Sequence, residues 1–416
     1  IKQAPYRLNP DKLSKVREEI KFMLDHDIIE PSQSSWSSPI VMVPKPDGTL
    51  RFCIDYRKVN AATKTDSYPI PRLEDCIDKV GNSAFVSKID LLKGYWQVPL
   101  TDRAKEVSAF VTPDGLFQCK KMPFGMKNAP ATFQRMMSQV IAGLDNCVVY
   151  IDDILVYSDN WQSHLAHLDA LFCRLSEANL VVNLKKSEFA KATVTYLGHV
   201  VGQGHVLPRA AKIQAIHDFP VPTGKRELMR FLGMSGFYRK FVPSYSTIAT
   251  PLTRLLQKNV KFVWSDECQI AFQKLKDILT SKPVLAAPKF DKAFKIAIDA
   301  SDVGVGAVLL QEDESGVDRP ISYFSKKLNK YQSKYSTIEK EALGLILAVQ
   351  HFEVYITNSA GETIIYTDHN PLVFLEKFKT KNQRLFRWSL ILQPYSLKIK
   401  HIAGKNNIIA DALSRV

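Results

Sequence analysis

Residues 147–157 read C-V-V-Y-I-D-D-I-L-V-Y, two apolar runs flanking the doublet Asp152-Asp153. Val148 to Ile151 and Ile154 to Tyr157 are rich in β-branched and aromatic residues, which pack well on a pleated surface. The pattern predicts a hairpin with both acids at its tip. Neighbouring side chains of a strand point to opposite faces, so only a tight turn lets adjacent carboxylates converge. At about 4 Å and an effective dielectric of 20, two such charges repel by about 4 kcal/mol. A bound divalent cation is the usual compensation. Taken alone, an Asp-rich turn is an ordinary surface hairpin.

A third acid precedes it. Residues 85–98 read F-V-S-K-I-D-L-L-K-G-Y-W-Q-V, a strand pattern that ends on Asp90 and runs into a glycine-containing turn. One carboxylate plus the doublet suits a two-metal phosphoryl-transfer site. In such a site one ion activates an attacking 3′-hydroxyl and both stabilise charge on the oxygens of an in-line displacement.

With 416 residues the chain has room for two or three domains, each with its own core. A formal charge of +14 and a pI near 9.3 favour a polyanionic partner, without separating nucleic acid from an anionic membrane surface. No run approaches the roughly 20 apolar residues of a spanning helix, and Ile1-Lys2-Gln3-Ala4-Pro5 lacks a signal-peptide pattern. The expected setting is cytoplasmic, without a membrane partner. Cys53, Cys76, Cys119, Cys147, Cys173 and Cys268 are dispersed, with no zinc spacing, and read as reduced thiols. The missing initiator Met and the ending Leu413-Ser414-Arg415-Val416 suggest a piece cut from a polyprotein.

The first two hundred residues mix short strands and helices into one catalytic body. From about 207 to 288 the pattern turns helical: residues 224–232, 245–256 and 266–279, the last with Asp266 as N-cap. Pro283 and Pro288 bracket a linker, and Phe294-Lys295-Ile296-Ala297-Ile298-Asp299 opens a new α/β pattern. Four more carboxylates recur there: Asp299 at a strand end, Glu341 in a helix read over 337–355, Asp368 after T-I-I-Y-T, and Asp411 near the end. Acids in such apolar settings are costly unless metal or hydrogen bonds compensate them. Periodicity does not choose between Glu339 and Glu341, because that helix is apolar nearly all round.

The Y-I-D-D hairpin, the segment I-D-L-L-K-G-Y-W-Q-V-P-L and residues 122–134, M-P-F-G-M-K-N-A-P-A-T-F-Q, together resemble the polymerase motifs of reverse transcriptases. Their variants are closer to those of gypsy-type LTR retrotransposons than to those of retroviruses. The later carboxylates, with H-I-A-G-K-N-N at 401–407 leading into I-I-A-D-A-L-S-R, resemble a ribonuclease H domain. The resemblance implies an α+β right-hand polymerase of fingers, palm and thumb, followed by an α/β ribonuclease H-like domain. Residues 1–206 would form fingers and palm, 207–288 a helical thumb and linker, and 289–416 the nuclease. It also implies an RNA- and DNA-directed DNA polymerase of a Pol polyprotein, with hydrolysis of the RNA strand of RNA/DNA hybrids, and two Mg²⁺ ions, or Mn²⁺, per site. The partners would be template-primer duplexes, hybrids and dNTPs, within virus-like particles. A decayed copy that binds nucleic acid without catalysis is the competing reading; the retained acids, which would repel a polyanion, argue against it.

By the same resemblance, Asp90, Asp152 and the carbonyl of Leu91 are metal ligands, with Asp153 at the site. Lys45 and Arg51 match triphosphate contacts on a hairpin turning at Pro46-Asp47-Gly48, and Lys93, Gly94, Tyr95 and Phe124 belong to the dNTP pocket, Tyr95 as a gate against a 2′-hydroxyl. Phe124 stands where many retroviral enzymes carry Gln. Tyr196-Leu197-Gly198-His199 matches the segment holding the primer terminus, and Lys225, Arg226, Arg230, Arg239 and Lys240 match thumb contacts. Asp299, Glu341, Asp368 and Asp411 would ligate the nuclease metals, with His401 as a mobile proton carrier. The 80 or so residues between polymerase body and nuclease leave no room for a retroviral connection domain, so a homodimer is expected to supply the missing surface.

Overall fold

The computed structural model describes residues 1–44, 48–281, 283–369, 372 and 382–402. They form two compact units. One holds Ile1–Cys76 and Ser83–Val194; the other holds Ile77–Asn82 and the chain from Thr195 onward.

In the first unit the acid-bearing runs become neighbouring strands. β1 (Phe85–Asp90), β2 (Cys147–Tyr150), β3 (Asp153–Ser158) and β4 (Glu188–Lys191) make an antiparallel sheet in the order β2-β3-β1-β4. Strand alternation sorts its faces. Ile89, Val149, Ile154 and Val156 share a core with Phe133 and Met137 of helix α1 (Ala129–Val140) and Leu171 and Leu175 of helix α2 (Trp161–Glu177). Each such burial contributes about 1.5–3 kcal/mol. The register leaves Lys88, Asp90 and Asp153 together on the opposite face.

Under this sheet lies a polar network that the sequence reading did not foresee. The buried His164 ring contacts Ser87 Oγ through Nε2 at 2.8 Å and Ser158 Oγ through Nδ1 at 3.1 Å, tying α2 to β1 and β3. A second, five-stranded sheet carries the hairpin of Ser38–Pro44 and Leu50–Ile54, antiparallel as expected, with Gly48 at φ +79°. Residues 45–47 of its tip, Lys45 included, lie outside the described residues.

The second unit opens with a small sheet, β5 (Val194–Tyr196), β6 (His199–Gly202), β7 (His205–Pro208) and β8 (Leu285–Ala286). Between β7 and β8 run α3 (Lys225–Phe237), α4 (Tyr245–Ile248), α5 (Thr250–Leu255) and α6 (Asp266–Thr280), held in part by Phe231 against Phe272, ring centroids 4.5 Å apart. Two expectations need correction. The helix read over 245–256 is broken at Ala249, because Pro251 lacks an N–H and sits in the first turn of a new helix. Ser265, not Asp266, is the N-cap of α6: its hydroxyl accepts from Cys268 N.

The same unit carries the five-stranded sheet β11-β10-β9-β12-β13, made of β9 (Lys295–Ala300), β10 (Gly304–Glu312), β11 (Asp318–Lys327), β12 (Thr363–Thr367) and β13 (Leu397–His401). β9, β10 and β11 pair antiparallel, whereas β9, β12 and β13 pair parallel. Helix α7 (Thr337–His351) buries Ala342, Leu345 and Val349 against Ile296, Ile298 and Leu309. It ends earlier than the expected 355, at the C-cap Phe352, and a short helix, Glu353–Thr357, follows.

Gly81 approaches so closely that a Cβ would stand 2.5 Å from Ala287 Cβ. Gly81→Ala is expected to destabilise the second unit by about 1–3 kcal/mol, read as a lower midpoint in chemical unfolding.

Candidate active sites

The hairpin tip is strained and clamped. β2 and β3 are joined by Ile151 and Asp152, and Ile151 takes φ +57°, a left-handed conformation costly for a β-branched residue. Its N–H donates to Gln134 Oε1 at 2.7 Å, while Gln134 Nε2 donates to Val149 O at 3.2 Å. Gln134 is 1% exposed, so one buried side chain on α1 holds the end of β2 and the first residue of the turn. Gln134 closes the 122–134 motif, but a lone buried amide beside a turn has no sequence signature.

Asp90 closes β1 directly opposite Asp153, and Asp152 lies exposed in the turn between β2 and β3. Burial, then the charges of Asp153 and Asp90, push the Asp152 carboxyl above the ordinary range, with Lys88 opposing. Lys88 Nζ lies 3.0 Å from Asp153 Oδ1, so Asp153 leans on a cation of its own sheet face. Leu91 is buried just past Asp90. A Cβ on Gly94 would come 3.7 Å from Asp152 Cβ and 3.1 Å from the Phe133 ring, so a side chain there would crowd that ring. Tyr95 packs between Phe124 and Phe133, centroids 5.0 and 5.2 Å away, and burial and the Asp152 charge push its hydroxyl up to about 12. Phe124 is 54% exposed and, with Arg51, Trp96 and Lys93, lines a cleft of about 500 Å³. Lys93 is not a free cation: its Nζ lies 4.1 Å from the Phe22 ring centroid and 4.4 Å from that of Trp96.

The second unit gathers carboxylates more tightly. Asp299, Glu341 and Asp368 each offer an oxygen within 4.8 Å of the others, the one such group of three metal-capable side chains among the described residues. Asp299 and Glu341 are 5% and 4% exposed. Glu341 Oε1 accepts from Ala300 N at 3.3 Å, and its Oε2 is buried with no hydrogen-bond partner. Burial, then Asp299 and Asp368, push this carboxyl up to about 8. Glu339, which the sequence left as an equal candidate, is occupied elsewhere: it closes the capping box with Ser336 and accepts from Arg384 Nη1 at 2.9 Å. His401 lies in register with Thr367, and its Nε2 contacts Asp368 O at 3.1 Å. Asp411 lies outside the described residues. An all-oxygen donor set with one orphaned buried oxygen fits a hard divalent cation.

Tyr196 is buried, while Leu197 and Gly198 both take positive φ, +46° and +83°. Tyr238 Oη donates to Gly198 O at 2.7 Å, fastening this turn to the end of α3. His199 stacks among Phe237, Tyr238 and Phe241. Of the five basic residues singled out, Lys225 Nζ donates to Gln257 O, Arg239 Nη2 donates to Ser325 O and Lys240 lies over the Phe241 ring, whereas Arg226 and Arg230 are exposed. Together with Met229, Gly233 and Phe237 these two arginines form one outward stripe of α3 at helical spacing. Phe237 was expected among the aromatics interleaved with these basic residues, whereas the exposed Met229 was not.

Residues 43–201 match the family described as reverse transcriptase (RNA-dependent DNA polymerase), and residues 289–395 match the RNase H-like domain found in reverse transcriptase. The chain carries a reverse transcriptase domain followed by an RNase H-like domain of the kind found in reverse transcriptases. The Retrovirus-related Pol polyprotein from transposon 297 of Drosophila melanogaster is 39% identical over 409 residues, covering 96% of this chain and 38% of that protein. The Transposon Tf2-3 polyprotein of Schizosaccharomyces pombe is 34% identical over 415 residues, covering 99% of this chain and 31% of its own. The chain thus spans well under half the length of these relatives, and the expected kinship with transposon Pol polyproteins holds. Among solved structures, the foamy viral protease-reverse transcriptase in complex with double-stranded DNA superposes with a TM-score of 0.86 at 23% identity, covering 96% of this chain and 71% of that one. This likeness bears out the expected fold class.

Two outcomes follow from these geometries. Gln134→Leu removes both contacts that hold the end of β2 and the strained residue Ile151, and is expected to destabilise the first unit by about 1–3 kcal/mol, read as a lower midpoint in chemical unfolding. Glu341 gives a pH signature. Below about pH 4.5 folded and unfolded chains both hold its proton; between there and about 8 only the folded chain does, so stability falls as pH rises and the loss is complete above about 8. Cation-free protein should therefore melt progressively lower from pH 5 to 8.5, Glu341→Gln should flatten that trend, and Mg²⁺ should recover more stability at pH 8 than at pH 5.

Proposed function

We propose that the chain acts as an RNA- and DNA-directed DNA polymerase and as a ribonuclease H that cuts the RNA strand of RNA/DNA hybrids. The observation that carries this reading is the presence, in one chain, of both matched domains, the first with Asp90 opposite Asp153 beside the Asp152 turn and the second with Asp299, Glu341 and Asp368 within ligand distance of one another. In the polymerase site Asp90, Asp152 and the Leu91 carbonyl would hold two Mg²⁺ ions, with Asp153 restrained by Lys88 as a supporting group. In the nuclease site Asp299, Glu341, Asp368 and Asp411 would do the same. Bound there, such cations offset the mutual repulsion of the carboxylates and supply electrophilic stabilisation to phosphoryl oxygens.

The chain's own residues supply the rest. Arg51 and Lys45 would meet the triphosphate of an incoming dNTP, a fixed guanidinium suiting bidentate phosphate contact. Tyr95, wedged between Phe124 and Phe133, is a rigid wall against a 2′-hydroxyl, and Gly94 keeps backbone close to Asp152. Lys93 would brace this wall from between its two rings. The Leu197–Gly198 turn would hold the primer terminus, and the Arg226–Phe237 stripe would follow the duplex, charge on phosphates and apolar surface on sugars. His401 would assist departure of the cleaved strand.

The solved foamy viral relatives hold double-stranded DNA or an RNA/DNA hybrid, which supports these substrate classes. No helix among the described residues is long and apolar enough to cross a membrane. Release from a Pol polyprotein, residence in cytoplasmic virus-like particles and homodimerisation complete the proposal.

The test is extension of a DNA primer on an end-labelled RNA template in Mg²⁺, following both strands. Wild type should extend and cut; Asp152→Asn should lose extension alone, and Asp299→Asn cutting alone, each by at least a hundredfold. Binding of the hybrid with neither reaction, in Mg²⁺ or Mn²⁺, would leave a nucleic-acid-binding protein in place of an enzyme.

A further inference from the structure

The helical segment is bonded to the nuclease sheet at Ser325. Ser246, in α4, donates through its hydroxyl to Ser325 O at 2.6 Å, and Ser246 N donates to Ser325 Oγ at 3.0 Å. Arg239 Nη2 donates to the same carbonyl at 2.8 Å. Ser325 is 3% exposed, so this is an enclosed polar lock.

Its position on the sheet is informative. Ser325 on β11 is directly opposite Gly306 on β10, and Gly306 is directly opposite Asp299 on β9. Residues in register across neighbouring strands point to the same face, at about 4.8 Å per strand. The lock and the nuclease carboxylate thus share one face, two strands apart, with a residue lacking a side chain between them. A second contact lies nearby. A Cβ on Gly304, where β10 leaves the turn that follows Asp299 and Ala300, would stand 3.4 Å from Thr247 Oγ1 and 3.1 Å from Lys326 O. The helical corner therefore touches both the row that ends on Asp299 and the turn that follows it.

We infer that Ser246 is a positioning residue for the nuclease: through Ser325 and the Gly304 turn, the helical segment fixes the strand end that presents Asp299. This rests on the nuclease reading above. A carboxylate that must sit next to Glu341 against its repulsion requires a stiff strand, and the lock supplies stiffness without touching substrate. Catalytic geometry tolerates little displacement, so loosening this support lowers turnover more than binding.

The experiment uses the full chain and a preformed RNA/DNA hybrid, measuring kcat and KM for cutting, the Mg²⁺ concentration for half-maximal cutting, and primer extension in parallel. Ser246→Ala is expected to lower nuclease kcat about tenfold and raise the Mg²⁺ requirement severalfold, with KM and extension within twofold. Ser246→Thr, which keeps the hydroxyl, should restore both. Ser325→Ala, altering the other side of the lock, should reproduce the Ser246→Ala phenotype. Unchanged nuclease kinetics in both alanine variants would overturn the inference, as would equal loss of both activities or failure of Ser246→Thr to rescue. A wild-type chain that does not cut hybrid would instead remove the function on which the inference stands.

Discussion

Carboxylates crowded against their own repulsion set the terms for both halves of this molecule. Asp152 lies beside Asp90 and Asp153, and Glu341 beside Asp299 and Asp368, each raised in pKa by burial and by its neighbours. Arrangements of this kind do not persist by local preference. They persist because the strands bearing them are over-determined elsewhere: by the core that joins Ile89, Ile154, Phe133 and Leu171 in one unit, and by the packing of α7 on β9 in the other.

The two sites answer the same problem differently. At the hairpin, repulsion is eased by an internal cation, Lys88 at Asp153, and the cost appears as backbone strain at Ile151, held by Gln134. Around Asp299, Glu341 and Asp368 the cost appears instead in the Glu341 carboxyl, whose pKa is pushed up to about 8 by burial and by the other two acids.

Much of this was legible beforehand for a physical reason. Acids that end apolar strands violate burial rules so plainly that Asp90, Asp152, Asp299 and Asp368 stood out at once, and strand alternation fixed the hairpin. What stayed hidden depends on side chains meeting across long stretches of sequence. Gln134 beneath Ile151, the His164 network with Ser87 and Ser158, and Lys93 between Phe22 and Trp96 leave no periodic trace. The choice between Glu339 and Glu341 was undecidable from periodicity and obvious once the capping box was seen. Helix ends were misplaced where a proline at 251 or a serine at 265 overrode apolar periodicity.

The left-handed Ile151 sets strain against burial at a single position. Glycine or asparagine would adopt φ +57° at less cost, by about 1–2 kcal/mol. Either would also give up the packing of Ile151 against the core beneath the sheet, a contribution of comparable size, and leave Asp152 a looser pedestal. The strain is therefore close to neutral for the fold, and a stiff branched side chain holds the turn at little net expense.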